Sequence, residues 1–594
     1  MGWITQASVF QNNLFFTWIF YMMKRHFTIP AMIAISAALL CSACNKNVDV
    51  QNATEQGWNE SEVNSLFKYV PADSPMVIAT TRKVDLNHPN QQAMRNKTAK
   101  LISNLNQVLN EKLNYSETEP DESAKEVLNL VGEFNDLIAN YSQNAPKYGL
   151  NPDHMDAVAY IKNGYTVVKF TVDNADQFKT ALASKIQTNP MLSKNITIKE
   201  DDVSNTKVHR IKIKNKLPEF IVKYDHAVVT VIPYGEVNDQ LKQFIAADLD
   251  QKVPQTFDKS KLGIIEKDTF RKGYADNPRV FDVVLKSFMK KYVEKHMNTS
   301  LSQACDHELV EKMGAIPATD FDIQIASSGN LSAHTYLSVK DKERLDKINS
   351  LKAGRPDLIT KNTRAGMQIS MKVRETIDYL LDNYDSPDSQ FTCPELQNYK
   401  NSSDREVKEL KEYYMFAKAL IGGITGLTIS LEKFYDLKSK KVDGFLDSIF
   451  IRLDGPEDTL KSIMDMAVGL YSDLEPVLPK KAGDVVPVDL NSMISVPFKG
   501  NVMLSDHALA VASTDKNIRQ IATSNAIATD EFFRLTLSSG VLFYWLMKDA
   551  VESDDDQYIS LTDSLINQTP VQTSFAFGNN DHASTMTFEW DYLY

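Results

Sequence analysis

Cysteine is scarce in this chain, with four residues in 594. That count excludes a small disulfide-built scaffold, and no two pairs sit at the short spacings of a structural zinc site. Glycine and proline are modest too, 22 of each, so the chain is neither collagenous nor low-complexity. Basic residues fall short of acidic ones, 65 against 77, leaving a formal charge of −12. This balance argues against nucleic acid as a partner and against electrostatic adhesion to an anionic surface. The body holds no long apolar run. Near the start, Phe27 to Leu40 spans 14 residues, whereas a bilayer-spanning helix takes about 20. Catalytic signatures are missing as well: no nucleophile elbow, no zincin helix, no P-loop and no dinucleotide fingerprint. The sequence gives no reason to expect a cofactor, a catalytic residue or a metal centre.

What is present begins with Lys24-Arg25-His26, the apolar run Phe27 to Leu40, and then Cys41-Ser42-Ala43-Cys44. A basic head, a short greasy stretch and small residues before a cysteine make an export leader. Its last residues resemble a bacterial lipobox, with Cys41 standing where that pattern prefers leucine. The resemblance implies that Cys44 becomes the lipidated first residue of the mature chain, carrying three acyl chains, palmitate among them. At about 0.8 kcal/mol per buried methylene, such an anchor holds almost permanently. Cleavage after Ala43 without lipid is the alternative. Asn45 is not the Asp that retains proteobacterial lipoproteins in the inner membrane, so the resemblance implies the outer membrane. Residues 1–22 read as an upstream extension before the true start at Met23, 23–43 as the signal peptide, and 44–64 as the lipidated cysteine with a polar tether. A 20-residue flexible tether reaches roughly 25 Å. Loss of the leader removes Lys24 and Arg25 and makes the chain two charges more negative.

The body alternates between apolar periods of two and 3.6, which predicts an α+β fold of mostly antiparallel sheet covered by helices. Strands are expected at Met76–Thr81, Ala157–Ile161, Tyr165–Val172, Ile196–Ile198 and Val208–Ile213. Phe220–Tyr224 and Ala227–Ile232 read as a hairpin running into a helix, and Gln91 to Ser142 as a helical block. Later strands are expected at Phe321–Ser327, Ser332–Val339 and Met367–Val373, with a helix over Glu406–Leu420. Tyr384 to Asp404 shows the least regular pattern. Two landmarks recur 281 residues apart: Val172-Asp173 with Leu453-Asp454, and Asp225-His226-Ala227 with Asp506-His507-Ala508. They predict an internal duplication, with a first module over 65–300 and a second over 301–594. The layout, and the phrase Pro71-Ala72-Asp73 before the first strand, resembles uncharacterised bacterial envelope lipoproteins built of repeated sheet-plus-helix modules. That resemblance implies no activity.

Cys305 and Cys393 are the whole thiol inventory of the body. An even count in an exported chain predicts a disulfide, worth about 4–5 kcal/mol on the loop-entropy model; two separate buried thiols are the rival. Each Asp-His-Ala triplet (Asp225, Asp506 and Asp581 onward) could be an acid/base or metal pair. Each also precedes an alternating run, where Asp favours a turn, and the turn is the preferred reading. Asp554-Asp555-Asp556 with Glu552 lacks the ligand alternation of a calcium loop and reads as a solvated acidic loop. Gly422 to Gly426 lacks the P-loop ending and reads as a helix stop. The alternation Phe588, Trp590, Tyr592, Tyr594 resembles the terminal signal of outer-membrane barrels, yet the long helical blocks favour a closing strand with one buried face. The function expected is therefore binding or scaffolding at the envelope, with the membrane held through the lipid and an envelope protein as partner. An envelope hydrolase whose site is hidden, and a carrier of lipid or another apolar ligand, are the competitors.

Overall fold

The computed structural model describes residues 65–592 apart from 81–88, 104–128, 215–218, 251–255, 263–268, 283–301, 387–389, 433–447, 491–497, 539–570 and shorter interruptions. Cys44, the leader, the tether, Asp554 to Asp556 and Asp581-His582 therefore lie outside the described residues. The fold is α+β, and its strands pair antiparallel among the described residues. Two compact units are formed, one from the described residues of 28–285 and 317–335, the other from those of 286–316 and 336–594.

The first unit contains β1 (Met76–Thr80), β2 (Ala157–Lys162), β3 (Tyr165–Thr171), β4 (Ile196–Val203), β5 (Thr206–Ile213), β6 (Glu219–Asp225), β7 (Val228–Tyr234), β8 (Thr269–Asp276), β9 (Ala318–Ile325) and the start of β10 (Leu331–Ser338). Hydrogen bonding orders them β4-β5-β6-β7-β3-β2-β1-β8-β9-β10. Asn163 (φ 51°) and Gly164 (φ 82°) link β2 to β3. Two consecutive left-handed residues make the tight turn whose twist suits a hairpin, and Asn-Gly is its preferred pair. Both faces of this sheet are apolar. On one, Val77, Tyr160, Val167 and Ile232 pack under Leu66 and Phe67 and under α2 (Asp239–Gln243) with the turn that follows it. On the other, Val172, Val222 and Val229 pack under Ala175 and Phe178 of α1 (Ala175–Thr188). Asn174 and Asn238 cap these helices by accepting the Gln177 and Leu241 amides, which satisfies donors the helix leaves orphaned.

The second unit contains β11 (Ala365–Ser370), β12 (Gly426–Leu431), β13 (Ile449–Asp454), β14 (Val485–Asp489), β15 (Lys499–Leu504), β16 (Ala508–Ser513), β17 (Glu531–Ser538), β18 (Val571–Asn579) and β19 (Ala583–Tyr592). Their order is β14-β15-β16-β13-β12-β11-β17-β18-β19. Helices α3 (Gln303–Met313), α4 (Val373–Asp385), α5 (Pro394–Ala417), α6 (Glu457–Leu470) and α7 (Ile518–Thr523) accompany it. Leu460 and Met464 of α6 cover the face bearing Leu453 and Leu509. Ile518, Ile521 and Ala522 of α7 cover the face bearing Phe450, Ala510 and Ala512.

Two local expectations need correction. The irregular stretch around Cys393 is in fact the start of a 24-residue helix, α5. Its polar sequence carries little apolar periodicity, but Pro394 at the first helical position is a start signal. The strand expected to run to Val373 stops at Ser370, and Val373 opens α4.

Candidate functional site

The structure joins Cys305 to Cys393, with the two Cα atoms 5.1 Å apart. Both cysteines sit at helix starts. Ser302 precedes α3, putting Cys305 in its first turn, and Cys393 is itself the cap of α5, its sulfur accepting the Leu396 amide at 3.4 Å. Both side chains are fully buried, packed with Leu396 and Phe391. Two acids converge on them. Glu395 Oε2 lies 3.2 Å from Cys305 Sγ and 3.3 Å from Cys393 Sγ. The buried Glu308 accepts the Thr392 and Cys393 amides, each at 2.7 Å, one on each carboxylate oxygen. The Ser302 hydroxyl donates to Cys305 Sγ at 3.3 Å. Cys305, Cys393 and Glu395 offer three ligand atoms within 4.8 Å of one another, and they are the one such group of metal-binding residue types found among the described residues.

The Asp-His-Ala triplets occupy hairpin ends. His226 and Ala227 form the two-residue turn closed by Asp225 opposite Val228. The His226 side chain is fully exposed, with φ +48°. Asp506 and His507 turn between β15 and β16, closed by the Ser505 amide on the Ala508 carbonyl. His507 Nε2 lies 3.3 Å from the Ser524 carbonyl. Gly422 to Gly426 connects α5 to β12, with Gly423 left-handed at φ 97° and the Thr459 hydroxyl donating to the Gly422 carbonyl.

Charged residues also lie inside the sheets, where sequence reading did not look. In the first unit one row of paired residues reads Thr230, Lys169, Val158, Ala79, Lys272, Asp322 across six strands. Paired positions share a face. Lys169 is buried; its Nζ donates to Thr230 Oγ1 at 2.8 Å and stands 4.6 Å from the centre of the Tyr69 ring. At the row's other end, Asp322 Oδ2 is 3.5 Å from Lys272 Nζ, and Asp322 Oδ1 is 3.0 Å from His334 Nδ1. Burial pushes the Asp322 carboxyl up, but the His334 hydrogen bond and the Lys272 charge outweigh it, holding the acid below its ordinary range.

In the second unit one row of paired residues reads Ala510, Arg452, Thr428, Gln368, Arg534, Ala576. Arg452 is completely buried, with Nε 2.8 Å from Asp454 Oδ1 and Nη1 donating to the Ile521 carbonyl at 2.5 Å. Asp454 Oδ2 has no hydrogen-bond partner among the described residues. Burial raises the Asp454 carboxyl above its ordinary value, and the Arg452 charge only partly opposes this. Arg534 is held by Glu531 and Glu589, with oxygens at 2.6 Å from its Nη2 and Nη1.

A lone charge in an otherwise apolar strand, such as Arg452 in Ile449-Phe450-Ile451-Arg452-Leu453, was the signal available for these rows. Glu395 carried a fainter one, since it stands two residues after a cysteine at a helix start. No family model, curated protein or solved structure matches this chain.

Proposed function

We propose that this chain is a bacterial envelope lipoprotein, anchored through Cys44, whose duplicated body binds or scaffolds a protein partner. The observation that carries the binding role is a set of large apolar side chains left in water. Tyr413 and Met415 near the end of α5 are 75% and 72% exposed, and Leu470 and Tyr471 at the end of α6 are 70% and 62% exposed. Apolar groups left in water mark a contact surface where they lie together. The charged residues within the sheets support the same reading, since Lys272 with Asp322 and Arg534 with Glu531 neutralise each other.

The duplication is our reading of three coincidences. The strand order β5-β6-β7-β3-β2-β1-β8-β9-β10 has the same plan as β14-β15-β16-β13-β12-β11-β17-β18-β19, with β4 as an addition. Each unit puts one fully buried cation, Lys169 or Arg452, on the strand that precedes α1 or α6. Asn238 and Asn517 cap the helices after the two hairpins in the same way.

Two experiments test the proposal. Replacing Cys44 with Ser should move the protein from the membrane to the soluble fraction; continued tight retention would refute the anchor. A photo-crosslinking residue at position 413 or 471 should trap a discrete adduct in cells, whereas one at the exposed Lys212 should not. Equal trapping at all three positions would refute a partner surface on α5 and α6.

A further inference from the structure

We propose that Cys305, Cys393 and Glu395 form a divalent-metal site of the zinc class, which opens when the disulfide between the two cysteines is reduced. The proposal is independent of the lipid anchor and of any protein partner.

It starts from the place of Glu395. A carboxylate oxygen lies 3.2 Å and 3.3 Å from the two sulfurs. A disulfide has no proton to give that oxygen, so the contact gains little in the oxidised state. Two thiols, or a cation between two thiolates, would make it favourable. Tetrahedral zinc, with Zn–S near 2.3 Å and Zn–O near 2.0–2.2 Å, needs S···O separations of about 3.5 Å. The two S···O distances are within a few tenths of this, so the main change required is for the sulfurs to part once the bond between them is gone.

The surroundings suit thiolates. Ser302 Oγ donates to one sulfur and the Leu396 amide to the other, and hydrogen bonds of this kind stabilise coordinated sulfur. Both cysteines lie at helix starts, where the partial positive charge favours an anion. Glu308, bonded to the Thr392 and Cys393 amides, fixes the loop that carries one ligand. Two thiolates and Glu395 would place three negative charges in a space where both cysteines are fully buried. Such an arrangement is stable only with a cation, and a divalent ion neutralises most of it.

The chemistry has two balanced steps. A dithiol reductant gives two electrons and two protons to the disulfide, leaving two cysteine thiols and the oxidised reductant. The metal ion then displaces two protons, one from each thiol, and binds the two sulfurs and the Glu395 carboxylate, with water completing four-coordination.

Cobalt(II) serves as the probe, because thiolate coordination gives it a charge-transfer absorption that oxygen ligands alone do not. The full chain carrying Cys41→Ser and Cys44→Ser, which removes the two leader thiols, should take up one equivalent with that absorption once reduced with dithiothreitol and desalted without oxygen; the oxidised chain should show less than a tenth of it. Glu395→Gln should weaken cobalt binding at least tenfold. Its ability to re-form the Cys305–Cys393 bond, read by peptide mapping, reports that the corner still folds. Cys305→Ser should abolish the absorption. No thiolate absorption in that reduced chain would overturn the site. Equal affinity in Glu395→Gln would overturn the three-ligand assignment.

Discussion

Lys169 and Arg452 are both buried, both cationic, and both on the strand that feeds the helix covering the opposite sheet face. The groups seen beside them differ. The Lys169 ammonium has the Thr230 hydroxyl and the Tyr69 ring close by. Arg452 faces an ionised partner and a carbonyl, Asp454 and Ile521. A small ammonium can be accommodated by a ring face and a hydroxyl, each donating electron density without itself carrying charge. A guanidinium has five donors in a fixed fork, so it needs more acceptors, and a carboxylate supplies them at short range. The consequence lies with the partner. Asp454 enters the core with one oxygen unmatched among the described residues, and a buried carboxylate that is half satisfied is a liability as well as a tether.

The largest expected effect tests that difference. Asp454→Ala should destabilise the second unit by about 3–5 kcal/mol, because Arg452 is left buried without its counter-charge. Replacing the pair together, Arg452→Met with Asp454→Leu, should recover most of this loss. Lys169→Met in the first unit should cost about 1–3 kcal/mol through the Thr230 hydroxyl alone, which loses its donor. Amide exchange in β13 and β3 reads each unit by itself. A Lys169→Met loss as large as that of Asp454→Ala would break the comparison.

Much of the scaffold was legible beforehand, and the reasons are local. Alternation along Val77, Ala79 or Val229, Val231 is written by the pleat, and Val172-Asp173 before α1 by a capped helix start. The two-landmark spacing of 281 residues also reached the hairpins that the structure contains. The charged rows were not legible. Asp322 meets Lys272 only because β8 and β9 lie side by side, and they are 50 residues apart in sequence. Glu395 was missed for another reason. The helix expected over Glu406–Leu420 covers only the second half of α5; its first turns, from Pro394 to Asp404, carry too few apolar residues at helical spacing to be distinguished from a loop, so the acid in the first turn had no place in the reading.

A second way to sharpen the comparison is acid titration, because the two buried acids are displaced in opposite directions. Asp322 is held below its ordinary value of 3.8 in the folded state. The unfolded chain then binds the proton more readily, so this acid stabilises the first unit above about pH 4, and the contribution fades as pH falls through its lowered folded value. Asp454 is raised above 3.8. Here the folded state binds the proton more readily, so stability is greatest at low pH and declines as pH climbs from about 4 through the raised value. Local exchange measured from pH 3 to pH 7 should show Asp322→Asn removing a gain in protection from the first unit and Asp454→Asn removing a loss from the second. Slope changes of the same sign in the two variants would refute the assignment.

The smallest effect separates the two hairpins. Measured from the shared Asp-His-Ala phrase, the turn moves by one residue: His226 and Ala227 turn in one unit, Asp506 and His507 in the other. His226 therefore sits at φ +48°, where a side chain crowds its own backbone, and its fully exposed ring lies 4.0 Å from Asp225 Oδ1. His507 avoids that region, and its Nε2 lies 3.3 Å from the Ser524 carbonyl. Glycine at each position should then act with opposite sign. His226→Gly should stabilise the first hairpin by about 0.5–1 kcal/mol, since glycine takes a left-handed conformation without steric cost. His507→Gly should destabilise the second by a similar amount, because it frees the unfolded backbone and gives up the Ser524 contact. Amide exchange at Val228 and Ala508 reads the two changes. A loss at both sites would mean that the phrase does the same work in each unit despite the shifted turn. Opposite signs would show that one Asp-His-Ala phrase serves two different turns, with a different role for its histidine in each.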